Sequence, residues 1–257
     1  MAKCLQFSLP RSFRRPTRRV LSAKFWAVYL DELIKRLRSK KIGCHLIDLF
    51  IACVLYADDV CLLAPTRKAM QVLLDICSDY ADLWCIKYNE KKTKVMYFGK
   101  DFKTFSGVSL FLNGKALGFV AEWKYLGVTL VSENGFYCSA AKPRASFFRS
   151  SNSILRVLRK PSKRVLLYLL YSVCVPNVTY ACDVVNYHYN AKSSLHVAVN
   201  DAIRLIFSYN RWDSIRNLRM SYGYDSVTEI FANRKRSFER NLSKVGNGFL
   251  IKLSHIP

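Results

Sequence analysis

Leu55-Tyr56-Ala57-Asp58-Asp59-Val60 is the stretch whose reading decides the fold. Two apolar runs flank it, Leu49 to Leu55 and Val60 to Ala64, each of strand length. The short polar break between them predicts a β-hairpin carrying carboxylates at its tip. Adjacent aspartates repel one another, and apolar flanks raise the cost of desolvating them. A hard divalent cation is their natural partner. Mg²⁺ favours one or two carboxylates completed by substrate phosphates. The pair alone would suit an ordinary exposed turn; Tyr56 and the strand–turn–strand setting favour chemistry.

Working outward, residues 1–19 carry six cations and no acid, and read as a flexible basic leader. From Ser22, a candidate N-cap, Phe25, Trp26, Tyr29, Leu30, Leu33, Ile34 and Leu37 recur at helical spacing. Gly43 is a candidate stop for that helix. Thr66 opens a second helix with Met70, Leu73, Leu74, Cys77, Ala81 and Trp84 on one face. Lys94 to Gly99 reads as a strand, Asn113-Gly114 as a two-residue hairpin turn, and Glu122 to Leu130 as further strand. Beyond Gly135 the pattern is helical, interrupted at Pro161 and Pro176. Between Asn134 and Cys182 there is no acid, and eight cations occur. The expected fold class is α+β: hairpins and helices over 20–135, then an all-helical basic region over 136–257.

The chain has 257 residues, 51% of them hydrophobic, and few Gly or Pro, which indicates a folded core. Its net charge of +23 implies a polyanionic partner, nucleic acid or an anionic surface. No apolar run reaches membrane-spanning length, and Met1 to Pro10 lacks a signal-peptide core. Nine scattered cysteines without a C-x-x-C pair read as free thiols of an intracellular protein, in cytoplasm or nucleus. Cys174, Cys182 and His188 have no recognised zinc-ligand spacing.

Tyr56-Ala57-Asp58-Asp59 resembles the Tyr-x-Asp-Asp box of reverse transcriptases, in the variant of LINE-type (non-LTR) retrotransposons and group II introns more than that of retroviruses. Asn89-Glu90-Lys91-Lys92-Thr93-Lys94 is similar to the Asn-x-x-Lys-Thr segment after that family's catalytic hairpin. Trp123-Lys124-Tyr125-Leu126-Gly127 resembles its Tyr-Leu-Gly primer-grip strand, and Ser22 to Leu33 the helix after a Gly-rich segment. Ser153 to Leu170, Tyr180 to Cys182, Asp201 to Arg211 and Thr228 to Arg236 look like the helical region downstream.

The resemblance implies part of a polymerase palm followed by a thumb, acting on an RNA template and DNA primer with deoxynucleoside triphosphates and two Mg²⁺ ions. Asp58 and Asp59 would be catalytic metal ligands. Tyr56 would approach the primer end or nucleotide, and Lys92 the triphosphate. Trp123, Lys124 and Tyr125 would lie under the primer, although aromatics at strand spacing equally suit a core. Arg156, Arg159, Lys160, Lys163 and Arg164 would grip phosphates without reading sequence, or else form a solvated face. The family also requires an aspartate on an earlier strand; Asp31 belongs to a helix and Asp48 lies about ten residues back, roughly 30 Å of strand. Arg18-Arg19 stands where the family has glycines, and no fingers segment is recognisable. The expectation is therefore a retrotransposon reverse-transcriptase fragment, inactive alone. The alternatives are a non-catalytic nucleic-acid-binding module and a relic without function.

Overall fold

A computed structural model describes residues 3–7, 20–99, 109–133, 135–158, 160–185, 187–242 and 244–246, with the backbone alone at 3–7 and 20–26. The chain divides into two compact units, Met1–Tyr125 with Val131–Phe136, and Leu126–Leu130 with Tyr137–Pro257. The architecture is α+β, with short antiparallel sheets and helices.

In the first unit, strand β1 (Lys3–Phe7) precedes helix α1 (Val20–Ser39). Two small strands, β2 (His45–Leu46) and β3 (Leu49–Phe50), pair with each other. Strands β4 (Cys53–Tyr56) and β5 (Asp59–Ala64) form the hairpin expected around Ala57-Asp58. Helix α2 (Arg67–Leu83) and strand β6 (Lys94–Tyr97) follow. Cys53, Leu55, Val60, Leu62 and Ala64 alternate with their neighbours at period two, which turns them to one face. That face packs on Leu30, Leu33 and Leu37 of α1 and on Met70, Leu73, Leu74 and Cys77 of α2. Thr66 caps α2 by accepting the Ala69 N–H at 3.1 Å. Strands β7 (Leu110–Leu112) and β8 (Lys115–Leu117) meet at Asn113-Gly114, both with positive φ, as a type I′ turn requires. The Gln71 side-chain amide bonds both the N–H and the carbonyl of Phe111, at 2.9 and 3.0 Å, standing in for a neighbouring strand.

Four expectations are corrected here. Lys3–Phe7, read as flexible leader, is a strand inside the sheet, whose order is β4-β5-β1-β6. Leu49 to Leu55 is divided between β3 and β4, because β3 pairs with β2 in a small hairpin of its own while β4 pairs with β5. Ser22 lies inside α1, which begins at Val20. The helix ends at Ser39 and Lys41 takes the left-handed turn (φ 53°), so Gly43 is not its stop.

Strands β9 (Glu122–Tyr125), β10 (Val128–Ser132) and β11 (Phe136–Cys138) lie where the chain passes between units. The second unit takes strand residues of β10 and β11, so the region from 136 on is not all-helical as expected, and is otherwise built of helices: α3 (Ala141–Val157), α4 (Lys163–Leu169), a π turn (Leu170–Cys174), α5 (Val175–Thr179), α6 (Tyr189–Phe207), α7 (Arg216–Ser221) and α8 (Val227–Leu242). Phe147, Leu167, Leu195, Val199 and Ile203 are buried within it. Pro176 does not interrupt the helix as expected. Proline removes an N–H and collides with the carbonyl one turn back, and a π turn just before it relieves both. Asn177 Nδ2 lies 3.1 and 3.2 Å from the carbonyls of Val173 and Cys174 and bonds them.

Candidate functional site

The acidic hairpin turns on two residues, with Tyr56 opposite Asp59 on the last rung. Ala57 adopts φ 51°, a conformation that costs a side-chain-bearing residue roughly 1–2 kcal/mol. Tyr56 is 63% exposed, whereas Asp58 and Asp59 are half-buried. Period-two alternation puts Tyr56 and Asp59 on the face away from Leu55 and Val60. A phenol thus stands beside a carboxylate at the open end of a sheet.

Lys92 lies in the loop before β6, not on a strand next to the hairpin. Both β5 and β6 pair antiparallel with β1, so they run parallel to each other. The turn before β5 and the loop before β6 therefore open at the same end of the sheet. Two strand spacings, about 10 Å, separate β5 from β6. Asn89 builds that loop: its carbonyl accepts the N–H groups of Lys92 at 3.0 Å and Thr93 at 2.9 Å, and its Oδ1 also accepts from Lys92. Thr93 is fully buried and returns its hydroxyl to the same carbonyl. Asn89 thus holds the loop together, which its place in the Asn-x-x-Lys-Thr spacing did not reveal. Burial pushes the Glu90 carboxyl up, but its own backbone N–H and Lys115 at 3.1 Å outweigh this and hold it below the usual carboxylate range.

Asp31 is tied to Lys35 at 2.8 Å on α1, and Asp48 sits in the β2–β3 turn. Among the described residues no group of three or more His, Cys, Asp or Glu could hold a metal ion. That applies to Cys174, Cys182 and His188 as well. Two adjacent carboxylates meet the minimum for one Mg²⁺ sharing substrate phosphates, but a two-ion centre needs another carboxylate between the ions. The described residues do not fit the complete centre.

On β9, Trp123 and Tyr125 are half-buried while Glu122 and Lys124 are exposed, so the aromatics share one face. Arg156 is exposed in the last turn of α3, Lys160 is exposed with φ 49°, and Lys163 and Arg164 open α4. Arg159 lies outside the described residues. Lys163 Nζ donates to the Phe207 carbonyl at 3.4 Å and sits 5.7 Å from that ring's centroid. Four of the five expected cations thus occupy one corner between two helices, and one of them is anchored by an aromatic ring.

Residues 19–130 match the family model described as reverse transcriptase (RNA-dependent DNA polymerase). Over 186 residues the chain is 26% identical to the retrovirus-related Pol polyprotein from type-2 retrotransposable element R2DM of Drosophila melanogaster. That match covers 70% of this chain and 16% of the relative. Both similarities support a reverse transcriptase of a non-LTR element. No helix among the described residues is long and apolar enough to cross a membrane.

Proposed function

We propose that the first unit is a partial polymerase palm and the second a thumb-like grip, and that the chain by itself binds RNA–DNA duplex without polymerising. The observation that carries the reading is the Tyr56–Asp59 rung closing on a two-residue turn inside the matched segment. Asp58 and Asp59 are its metal-facing carboxylates. Bound Mg²⁺ would supply charge for a 3′-hydroxyl and a departing pyrophosphate. Tyr56 lines the approach of primer or nucleotide, and Lys92, at the same end of the sheet, faces triphosphate. Trp123, Lys124 and Tyr125 support the primer strand. The cations of the α3–α4 corner neutralise backbone phosphates.

A template–primer extension assay with deoxynucleoside triphosphates and Mg²⁺ or Mn²⁺ tests the catalytic half. The expected result is no incorporation, because the described residues lack the shared carboxylate. Robust incorporation that disappears in Asp58→Ala would overturn it. Fluorescence anisotropy on an RNA–DNA duplex across several salt concentrations tests the binding half. Neutralising Arg156, Arg159, Lys160, Lys163 and Arg164 together should flatten the salt slope by up to about 0.9 per lost phosphate contact. An unchanged slope would reduce those residues to a solvated face.

A further inference from the structure

A cleft of about 550 Å³ opens in the second unit, lined by Arg164, Val165, Tyr168, Ser221, Tyr222 and Tyr224. It does not involve the acidic hairpin, and three of its six lining residues are tyrosines. We infer that this cleft binds unpaired single-stranded nucleic acid, stacking bases on Tyr168 and Tyr222 while Arg164 neutralises the adjoining phosphate.

The geometry favours stacking. Tyr168 is 61% exposed on α4, one turn from Arg164, so its ring and a cation share the same rim. Tyr222 and Tyr224 are held opposite by the way α7 ends. Gly223 takes φ 73°, its N–H donates to the Met220 carbonyl at 3.0 Å, and the Tyr224 N–H reaches back to Arg219 at 3.1 Å. This is a Schellman cap, which fixes the backbone on either side of the glycine. The Tyr224 ring is stacked on Tyr171, with centroids 4.1 Å apart and planes 18° from parallel. Tyr222 leans on Phe207 at 5.6 Å, the ring that also carries Lys163. Rings braced in this way lose little conformational freedom when a base arrives.

Charge selects the occupant. None of the lining residues is acidic. The nearby carboxylates are engaged: Asp225 accepts from Asn233 at 3.2 Å, and Glu229 accepts from Ser226 at 2.6 Å and pairs with Arg219. Exposed aromatic faces beside cations suit a polymer that offers both flat bases and phosphates, and every base has a face to stack. A duplex hides those faces, which is why the unpaired form is assigned here.

The inference rests on the nucleic-acid reading above, and its test separates the two. Labelled oligouridylate and oligothymidylate of about ten nucleotides, a length within the usual site size, are titrated with the full chain beside an RNA–DNA duplex. Tyr168→Ala and Tyr222→Ala should each weaken single-strand binding about fivefold or more, leave its salt slope unchanged and spare the duplex. Tyr168→Phe and Tyr222→Phe should bind like the parent, because the ring and not the hydroxyl stacks. Arg164→Gln should reduce the salt slope. Tyr168 is exposed, so its truncation opens no cavity, and circular dichroism verifies the fold. Duplex binding with single-strand affinity indifferent to both tyrosines would sink this inference alone. Equal loss on both ligands would also sink it. A chain that binds neither ligand would defeat the broader reading first.

Discussion

Gly43 and Gly114 form a matched pair for measuring how tightly the first unit is built. Both have positive φ, 110° and 72°. A Cβ added at Gly114 would meet nothing within 4 Å, so Gly114→Ala incurs only the backbone cost, roughly 1–2 kcal/mol. A Cβ at Gly43 would lie 2.3 Å from Ala52 Cβ, 3.2 Å from the Leu63 carbonyl oxygen and 3.3 Å from Leu73 Cδ1. Carbon atoms pack at about 3.5–4.0 Å, so one of two backbones must retreat by more than an ångström. Forced overpacking adds about 1–3 kcal/mol, for a total of roughly 2–5. Urea unfolding followed by tryptophan fluorescence reads the difference. Trp84 reports on this unit, since its ring meets Tyr29 edge-on at 5.1 Å, while Trp212 is almost fully exposed and contributes little change. Gly43→Ala should lower the midpoint clearly more than Gly114→Ala, and Ala52→Gly in the same chain should recover part of the excess. Equal shifts for the two alanine variants, or no recovery, would refute the close-approach argument.

Other outcomes follow from local geometry. Ser226 and Glu229 form a capping box at the start of α8: the Ser226 N–H donates to the Glu229 carboxylate, and the Glu229 N–H to Ser226 Oγ at 3.2 Å. Ser226→Ala should cost about 1 kcal/mol in urea unfolding of the helical unit, and an unchanged midpoint would deny the cap any role. The Ser226 hydrogen bonds, with Arg219 and Arg216 nearby, hold the Glu229 carboxyl below its usual range. Its contribution is therefore present above the unfolded value of about 4.3 and is lost as pH falls through the folded one. Glu229→Gln should flatten that acid limb, a small effect because the group is exposed to solvent and salt. Removing residues 1–7 should speed hydrogen exchange at Val60–Ala64, since β5 loses the partner it pairs with through five rungs. Unchanged protection there would contradict the sheet order.

The acidic hairpin, α2 and the Asn113-Gly114 turn were legible because each is specified by local chemistry: alternation, a Thr cap, and two residues that tolerate positive φ. Long-range partners were not. Nothing in Lys3–Phe7 itself announces that β5 and β6 will accept it on either side, and its cationic surroundings suggested a solvated leader. Gly43 looked like a helix stop from its position after α1, whereas its need comes from Ala52, brought there by folding. Pro176 signalled a break, but a proline's effect depends on the carbonyls behind it, which the π turn and Asn177 accommodate. At the site, the residue types and their order were readable. Lys92 sharing an end of the sheet with Asp58 follows from strand direction, which no motif encodes. The tyrosine cleft was invisible because Tyr168 and Tyr222 are brought together only by the packing of the helices that carry them.

The position of β1 also governs the order of events during synthesis. Lys3 must find Ala64 on one side and Tyr97 on the other, so β1 is made before both of its neighbours and has to wait for them. Pairings this distant in sequence are slow to form, since the intervening chain has to be closed into a loop first. On an emerging chain the α1–α2 core and the acidic hairpin can assemble while the slot between β5 and β6 is still open. An open slot with two bare strand edges is attractive to any extended segment, including one from another copy of the chain. The interval before β1 docks is therefore the period in which this protein is most prone to aggregate, and dilution or slower synthesis should raise its soluble yield.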